Sequence, residues 1–248
     1  MKTIVVMTEK GGVGKTNIAC HAGWFFAERY RTLVIDLDQQ ANLTMTMKRH
    51  LSNVESVELF AEQTQVPSIG ALTVAKSTRE LLGVEGADRA CIETFRTSLE
   101  SMADDYDVCV IDTPPSLATR AYASLLAADA VLAPIGINDY SLAGITELLR
   151  AIKGVSAFYK RTPPLFLGLL PSIFDRKSKR EREAFEELDT HVGKLLFPGI
   201  VAKRDVYART ATEREPVWNI KTPAGREAGI EIRGVFDIVE KKMELVHG

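Results

Sequence analysis

The sequence predicts an α/β fold, a mostly parallel twisted sheet with helices on both faces. Three observations predict it. Short runs rich in Val, Ile and Leu recur without strict polar alternation, which is how strands buried on both faces read. Helical stretches separate these runs, and such alternation implies right-handed crossovers on a parallel sheet. A glycine-rich loop, Gly11-Gly12-Val13-Gly14, stands between the first apolar run and the first helical stretch.

The elements follow in order. Lys2–Thr8 reads as the first strand; Glu9 and Lys10 cut its apolar start short, so it is not read as a signal peptide. Thr16–Tyr30 is the first helix and Thr32–Asp38 the second strand. Residues 42–70 have no clear period, and helices with loops are expected there. Ala71–Ala75 is a weaker strand, followed by a helix over Asp88–Ala103 and a strand over Val108–Asp112. Leu117–Leu126 and Ser141–Phe158 are helical around the strand Ala130–Ile135. Leu165–Pro171 is a strand, Ser178–Leu196 a helix, Ile200–Ala202 a weak strand and Gly225–Val246 a final helix. With no repeat, low-complexity tract or Pro/Gly/Ser linker, one domain over residues 1–248 is expected.

Composition narrows the class. A chain of 248 residues with 46% hydrophobic and 26% charged residues has the mix of a soluble globular protein. No apolar run reaches the length needed to span a bilayer. Three cysteines, Cys20, Cys91 and Cys109, form no C-x-x-C pair, which argues against a disulfide framework or zinc site and fits a reducing cytosol. The net charge of −2 hides an asymmetry: residues 1–150 hold 13 Lys+Arg against 19 Asp+Glu, and residues 151–248 hold 18 against 14. The C-terminal part therefore contributes a basic surface.

Lys10-Gly11-Gly12-Val13-Gly14-Lys15-Thr16 lies where a phosphate-binding loop must lie, after a strand and before a helix. Glycines let the backbone N–H groups turn inward around phosphate oxygens. The helix that follows aims its positive end at the same charge. Lys15 would meet the β- and γ-phosphates and Thr16 would give its hydroxyl to Mg²⁺, with the cradle running on through Asn17. The strict G-x-x-x-x-G-K-[ST] pattern is broken, because Glu9 occupies its first glycine position and a second lysine, Lys10, precedes the glycine pair.

Two apolar runs end on carboxylates, Asp36 (with Asp38 just beyond) and Asp112. In an open α/β sheet the carboxyl ends of strands line the ligand crevice, so these groups are placed to hold Mg²⁺ through water or to orient an attacking water. Each alone also reads as a loop or helix cap.

Together these residues resemble the ParA/MinD group of P-loop ATPases, and within it the ParA-type partition proteins. The KGGVGKT loop is the deviant Walker A form of that group. Asp36–Thr44 (DLDQQANLT) is similar to its D-x-D-P-Q-G-N-x-T segment, and Tyr106–Ser116 (YDVCVIDTPPS) to its YDxxxIDxPPS strand and switch. Leu125–Gly144 and Gly168–Glu183 match more loosely. The resemblance implies a P-loop ATPase that uses ATP and Mg²⁺, turns over slowly, and forms a homodimer with ATP. Lys10 of one subunit would then touch phosphates in the other. It implies catalytic roles for Lys10, Lys15, Asp38 and Asp36, with Asp38 positioning the water and Thr16, Asp36 and Asp112 around the metal. Ala202–Val206 stands where the family has I-P-R-N-V beside the adenine, so Lys203 and Asp205 would border the base. This chain departs from the pattern at Glu9, at Gln39 and Ala41, which replace a proline and a glycine, and at Lys203 and Asp205 themselves.

Arg176-Lys177-Ser178-Lys179-Arg180-Glu181-Arg182 packs five positive charges into seven residues at a helix start, where cations do not favour the helix. It reads either as a solvated face paired with Glu181, Glu183, Glu186 and Glu187, or as a sequence-independent contact with double-stranded DNA. Lys203, Arg204 and Arg209 extend it. No aromatic interleaving accompanies it and no helix-turn-helix pattern precedes the loop, so operator reading is not expected. The expected function is DNA partition by a cytoplasmic, nucleoid-associated ATPase, with a ParB-like adaptor implied by the resemblance alone. A MinD-like membrane-cycling regulator is the alternative. The segment Ile232–Val246 is its candidate tail, yet its net negative polar residues suit packing on the sheet better than a lipid surface. An iron–sulfur reductase would need a cysteine after Asp112, and the chain has none there. A P-loop ligase acting on a small substrate stays open.

Overall fold

The computed structural model describes residues 1–137 and 141–245. The end of the expected last helix, Val246, and residues 138–140 of the Leu125–Gly144 segment lie outside the described residues.

The strands are β1 (Lys2–Val6), β2 (Thr32–Asp36), β3 (Leu51–Glu55), β4 (Leu72–Lys76), β5 (Val108–Asp112), β6 (Ala130–Gly136), β7 (Leu165–Phe174) and β8 (Val201–Ala202). Among the described residues they pair in parallel throughout, in one eight-stranded sheet of order β3-β4-β2-β5-β1-β6-β7-β8. The helices are α1 (Lys15–Ala27), α2 (Asn42–Thr46), α3 (Glu58–Ala61), α4 (Ala90–Ser101), α5 (Thr119–Ala127), α6 (Leu142–Phe158), α7 (Lys179–Val192), α8 (Val206–Glu213) and α9 (Pro223–Lys242).

Successive strand residues go to opposite faces, which is why the strands read as unbroken apolar runs. Val5, Ile35, Cys109 and Ile111 pack with Phe95 of α4, Leu125 of α5 and Ile152 of α6. Ile4, Val6, Val34 and Val110 pack instead with Ile18, Phe25 and Phe26 of α1 and Ile232 and Phe236 of α9. At Gly23 a Cβ would come within 2.6 Å of Val34, so glycine is what lets α1 lie this close to β2. The three cysteines are all buried and free.

Two expectations need adjustment. Residues 42–70 contain α2 and α3 but also β3, whose sequence LSNVE is half polar because β3 is the sheet edge. The final helix starts earlier than expected, at Pro223, where the Thr222 hydroxyl accepts the Gly225 amide as N-cap and proline fits the first turn.

Candidate functional site

Strand order builds the site. β2, β5 and β1 are neighbours, and in register Asp36 lies beside Asp112, which lies beside Val6. The carboxyl ends of two acidic strands and the start of the glycine loop therefore meet at the carboxyl end of the sheet's central strands.

The loop needs left-handed backbone at two points, Gly12 (φ 78°) and Gly14 (φ 85°), which glycine supplies without strain. Gly14 is the N-cap of α1, and no side chain caps that helix. Its first N–H groups are thus left for an outside acceptor. Val13 is buried, whereas Lys10, Gly11 and Gly12 are exposed. Lys15 is buried, and its Nζ donates to the Lys10 carbonyl at 3.0 Å. Burial pulls the Lys15 pKa down, against the pull of Asp112 and Asp38. Asn17 serves the scaffold: its carbonyl accepts from His21 Nδ1 at 2.7 Å, while His21 Nε2 accepts the Val217 amide at 3.1 Å.

The acidic residues differ in their surroundings. Asp36 accepts the Thr44 amide and hydroxyl at 2.8 and 2.7 Å and the Asp38 amide at 3.1 Å. Burial nevertheless pushes its pKa up to about 6, with those hydrogen bonds opposing. Asp112 is fully buried, and neither of its carboxylate oxygens has a protein partner of good hydrogen-bond geometry. Desolvation, and then Asp36, drive its pKa well above the ordinary carboxylate range, while Thr16 and Lys15 act the other way. Asp38 sits in a loop turn, with Oδ1 accepting the Gln40 amide at 3.0 Å and its carbonyl accepting the Ser77 hydroxyl at 2.7 Å and the Ala41 amide at 2.8 Å. Ala41, in the glycine position of the pattern, adopts the glycine conformation at φ 55°.

Two features fit a magnesium-bound phosphate group. The start of α1 has no side-chain cap, and the buried Asp112 carboxylate, without a protein partner of good hydrogen-bond geometry, lies beside the Thr16 hydroxyl and within reach of the Lys15 charge. No group of three or more His, Cys, Asp or Glu side chains able to hold a metal occurs among the described residues. Mg²⁺ suits that arrangement, since it keeps several waters and binds through one or two protein groups plus phosphate oxygens.

Glu9 turns to the α6 side, where it lines a cavity of about 70 Å³ with Ser141, Ile145 and Leu148. Its Oε1 is buried without a partner, and desolvation followed by Glu147 raises its pKa.

Lys203 lines a cleft of about 170 Å³ beside the loop, shared with Gly12, Val13, Ser172, Ile173 and Glu181. Asp205 is exposed, at the start of α8, where its side chain forms no cap. Ile173 was not legible as a site residue. It is β-branched yet left-handed (φ 55°), at the break in register between β7 and β8.

The basic cluster does surround the start of α7, but its members differ in freedom. Arg176 pairs with Glu231 at 2.9 Å, and Arg204 with Glu227 at 2.8 Å and Glu231 at 3.8 Å. Arg182 donates to the carbonyls of Arg176 and Lys177, and Arg209 pairs with Glu213 on its own helix. Lys179 faces Glu183 at 3.5 Å with both side chains largely exposed. For Lys177 and Arg180 no ion pair is seen among the described residues.

Fold, loop and acidic strand ends define a P-loop NTPase. The AAA domain family model matches residues 1–162. Protein IncC of Escherichia coli is 34% identical over 257 residues, covering 99% of this chain and 70% of that protein. A ParA family protein of Chlamydia pneumoniae is also 34% identical, over 88% of this chain and 90% of its own. The McdA(D38A)–ATP complex of Cyanothece superposes with a TM-score of 0.83 at 20% identity, covering 96% of each chain. The chain belongs to the ParA family.

Among the described residues no helix is long and apolar enough to cross a membrane.

Proposed function

We propose that this chain is a partition ATPase, one domain over residues 1–248, that binds DNA without sequence preference when ATP and Mg²⁺ join two copies. The observation that carries the reading is the unpartnered Asp112 carboxylate beside Lys15 and Thr16 at the uncapped start of α1. Bound Mg²⁺-ATP would supply the phosphoryl group for hydrolysis. Lys15 would neutralise β/γ-phosphate charge, Thr16 and Asp112 would hold the metal directly or through water, and Asp36 anchors the loop that carries Asp38. Asp38 then orients the attacking water, which is positioning rather than covalent chemistry. The exposure of Lys10 suits a contact made in a second subunit.

By analogy with the family, the cargo would be DNA, a ParB-like adaptor would stimulate hydrolysis and so release it, and the setting would be the cytoplasm at the nucleoid. Among the exposed cations of the cluster, Lys177, Arg180 and Lys203 have no ion pair among the described residues and Lys179 only a loose, exposed one, which leaves these four for phosphate contacts. A membrane cycle is disfavoured because Ile232, Val235, Phe236 and Val239 of α9 are already buried.

The test is binding of unrelated DNA duplexes with Mg²⁺-ATP, with Mg²⁺-ADP and without nucleotide, beside co-sedimentation with anionic liposomes. ATP-dependent DNA binding with no liposome capture is expected. Equal DNA affinity in all three states would overturn the reading, and ATP-dependent liposome capture would replace it with the membrane cycle.

A further inference from the structure

The first turn of α5 carries an arginine, Arg120, that is 3% exposed. Its guanidinium holds three acceptors on two separate segments. Nε donates to Glu85 Oε1 at 2.6 Å, and Nη1 donates to the Leu37 carbonyl and to Gln39 Oε1, both at 2.8 Å. The other oxygen of Glu85 accepts the Thr119 amide at 2.8 Å, which fixes the start of α5. Leu37 and Gln39 are the two neighbours of Asp38. The Leu37 amide also donates to the Asp112 carbonyl at 3.0 Å, so the Leu37 peptide is gripped on both sides by the segment from Asp112 to Arg120.

Taking a guanidinium out of water is costly, and an aliphatic side chain would fill the same space without that cost. What an arginine adds is a planar fork that holds several acceptors in fixed directions. The loop needs such a hold. In the family's pattern a proline stands at the position of Gln39 and its ring restricts the backbone; here that restraint is missing. The Gln39 side chain, bonded to Arg120, stands in for the ring.

We propose that Arg120 is a positioning residue for hydrolysis: it clamps Leu37 and Gln39, so that Asp38 is held in place and moves together with the segment that follows Asp112. The inference rests on the reading of Asp38 as the residue that orients the water. A misplacement of about 1 Å can cost roughly 100-fold in rate, so a loosened clamp affects turnover far more than binding.

The experiment uses the full chain with Mg²⁺-ATP. Arg120→Met should lower kcat by about ten-fold or more with ATP affinity within about two-fold, and should speed amide hydrogen exchange over Asp38–Ala41. Gln39→Ala leaves the Glu85 and Leu37 bonds standing, so it serves even where Arg120→Met does not fold. It should give a smaller loss, and in the double variant the two losses should not add, because both remove one shared contact. Gln39→Pro should restore part of the lost turnover in the Arg120→Met background. Wild-type turnover and exchange in Gln39→Ala and Arg120→Met overturn the clamp, as do losses that add in full. Asp38→Ala separates the premises: wild-type turnover there removes the catalytic role of Asp38, while faster exchange over Asp38–Ala41 in Arg120→Met still upholds the clamp.

Discussion

Arg176 and Glu231 form an ion pair at 2.9 Å, and the other oxygen of the same carboxylate accepts the Ala202 amide at 2.7 Å. One acidic side chain on α9 thus holds both a cation of the basic cluster and the strand end beside Lys203. Glu231→Gln keeps an oxygen for the Ala202 amide but gives up the charge that retains Arg176 and Arg204. DNA affinity should rise in that variant and its salt dependence steepen, while Lys179→Ala with Arg180→Ala should weaken all sequences alike and flatten the slope of log K against log salt by about 2. Fluorescence anisotropy across a salt series reads both. Unchanged slopes would move the DNA interface off α7.

The two lysines of the loop should separate. Lys15 is buried with its ammonium on the Lys10 carbonyl, pointing within its own loop. Lys15→Ala should abolish ATP binding, whereas Lys10→Ala should leave binding to a single copy intact and weaken the ATP-bound dimer. Titration with a fluorescent ATP analogue, paired with sedimentation velocity, gives the two quantities. Equal loss of nucleotide affinity in both would remove the intersubunit role of Lys10.

Asp38→Ala should bind ATP and dimerise yet hydrolyse at least about 100-fold more slowly, because water positioning is lost while the phosphate contacts stay. A single-turnover assay with radiolabelled ATP measures it. Wild-type turnover would shift the role to Asp36 or Asp112.

His21 carries a pH prediction. It is fully buried among Trp24, Tyr207 and Trp218, and desolvation lowers its pKa to about 4, with the Asn17 carbonyl opposing. The unfolded chain, with a His pKa near 6.5, binds this proton more readily than the fold does. Stability is therefore intact above pH 6.5 and falls as pH drops toward 4, by about 2 kcal/mol between pH 7 and pH 5. Asp36, with its pKa up to about 6, acts in the opposite direction over the same window, so the comparison must be differential. The gap in unfolding free energy between the wild type and His21→Leu should narrow by about that amount between pH 7 and pH 5. Urea melts at both pH values would show a constant gap if His21 were ordinarily protonated in the fold.

Much of this architecture is legible in the sequence because a parallel strand buried on both faces leaves an apolar run with no competing pattern. The central strands and the phosphate loop are of that kind. β3 was not legible, since an edge strand with Ser52 and Asn53 has neither run nor alternation. Nor was α8, a short VYARTATE helix with a β-branched start and two threonines. The acidic strand ends could be named from spacing, but not their division of labour. That Asp36 is held by Thr44 while Asp112 is left without a well-aligned partner depends on how the loops fold over the carboxyl ends of the central strands. Arg120 and Glu231 belong to the same class: on a helix pattern each reads as a solvated charge, and only the contacts over 83 and 29 positions of chain reveal otherwise.

The strand order also sets a timetable for the ribosome. β1 pairs with β5 and β6, so the loop that follows it has no neighbouring strand until residue 112 has been made and is not flanked on both sides until β6 follows. The other face closes later still, because Phe25 and Phe26 of α1 pack against Phe236 near the end of the chain. At a synthesis rate of about 5–20 residues per second, the apolar side of α1 waits on the order of ten seconds or more for its cover. The first nucleotide-binding element to be translated is thus among the last to be assembled, and for that interval the nascent chain exposes the apolar side of α1 and has no finished site for ATP.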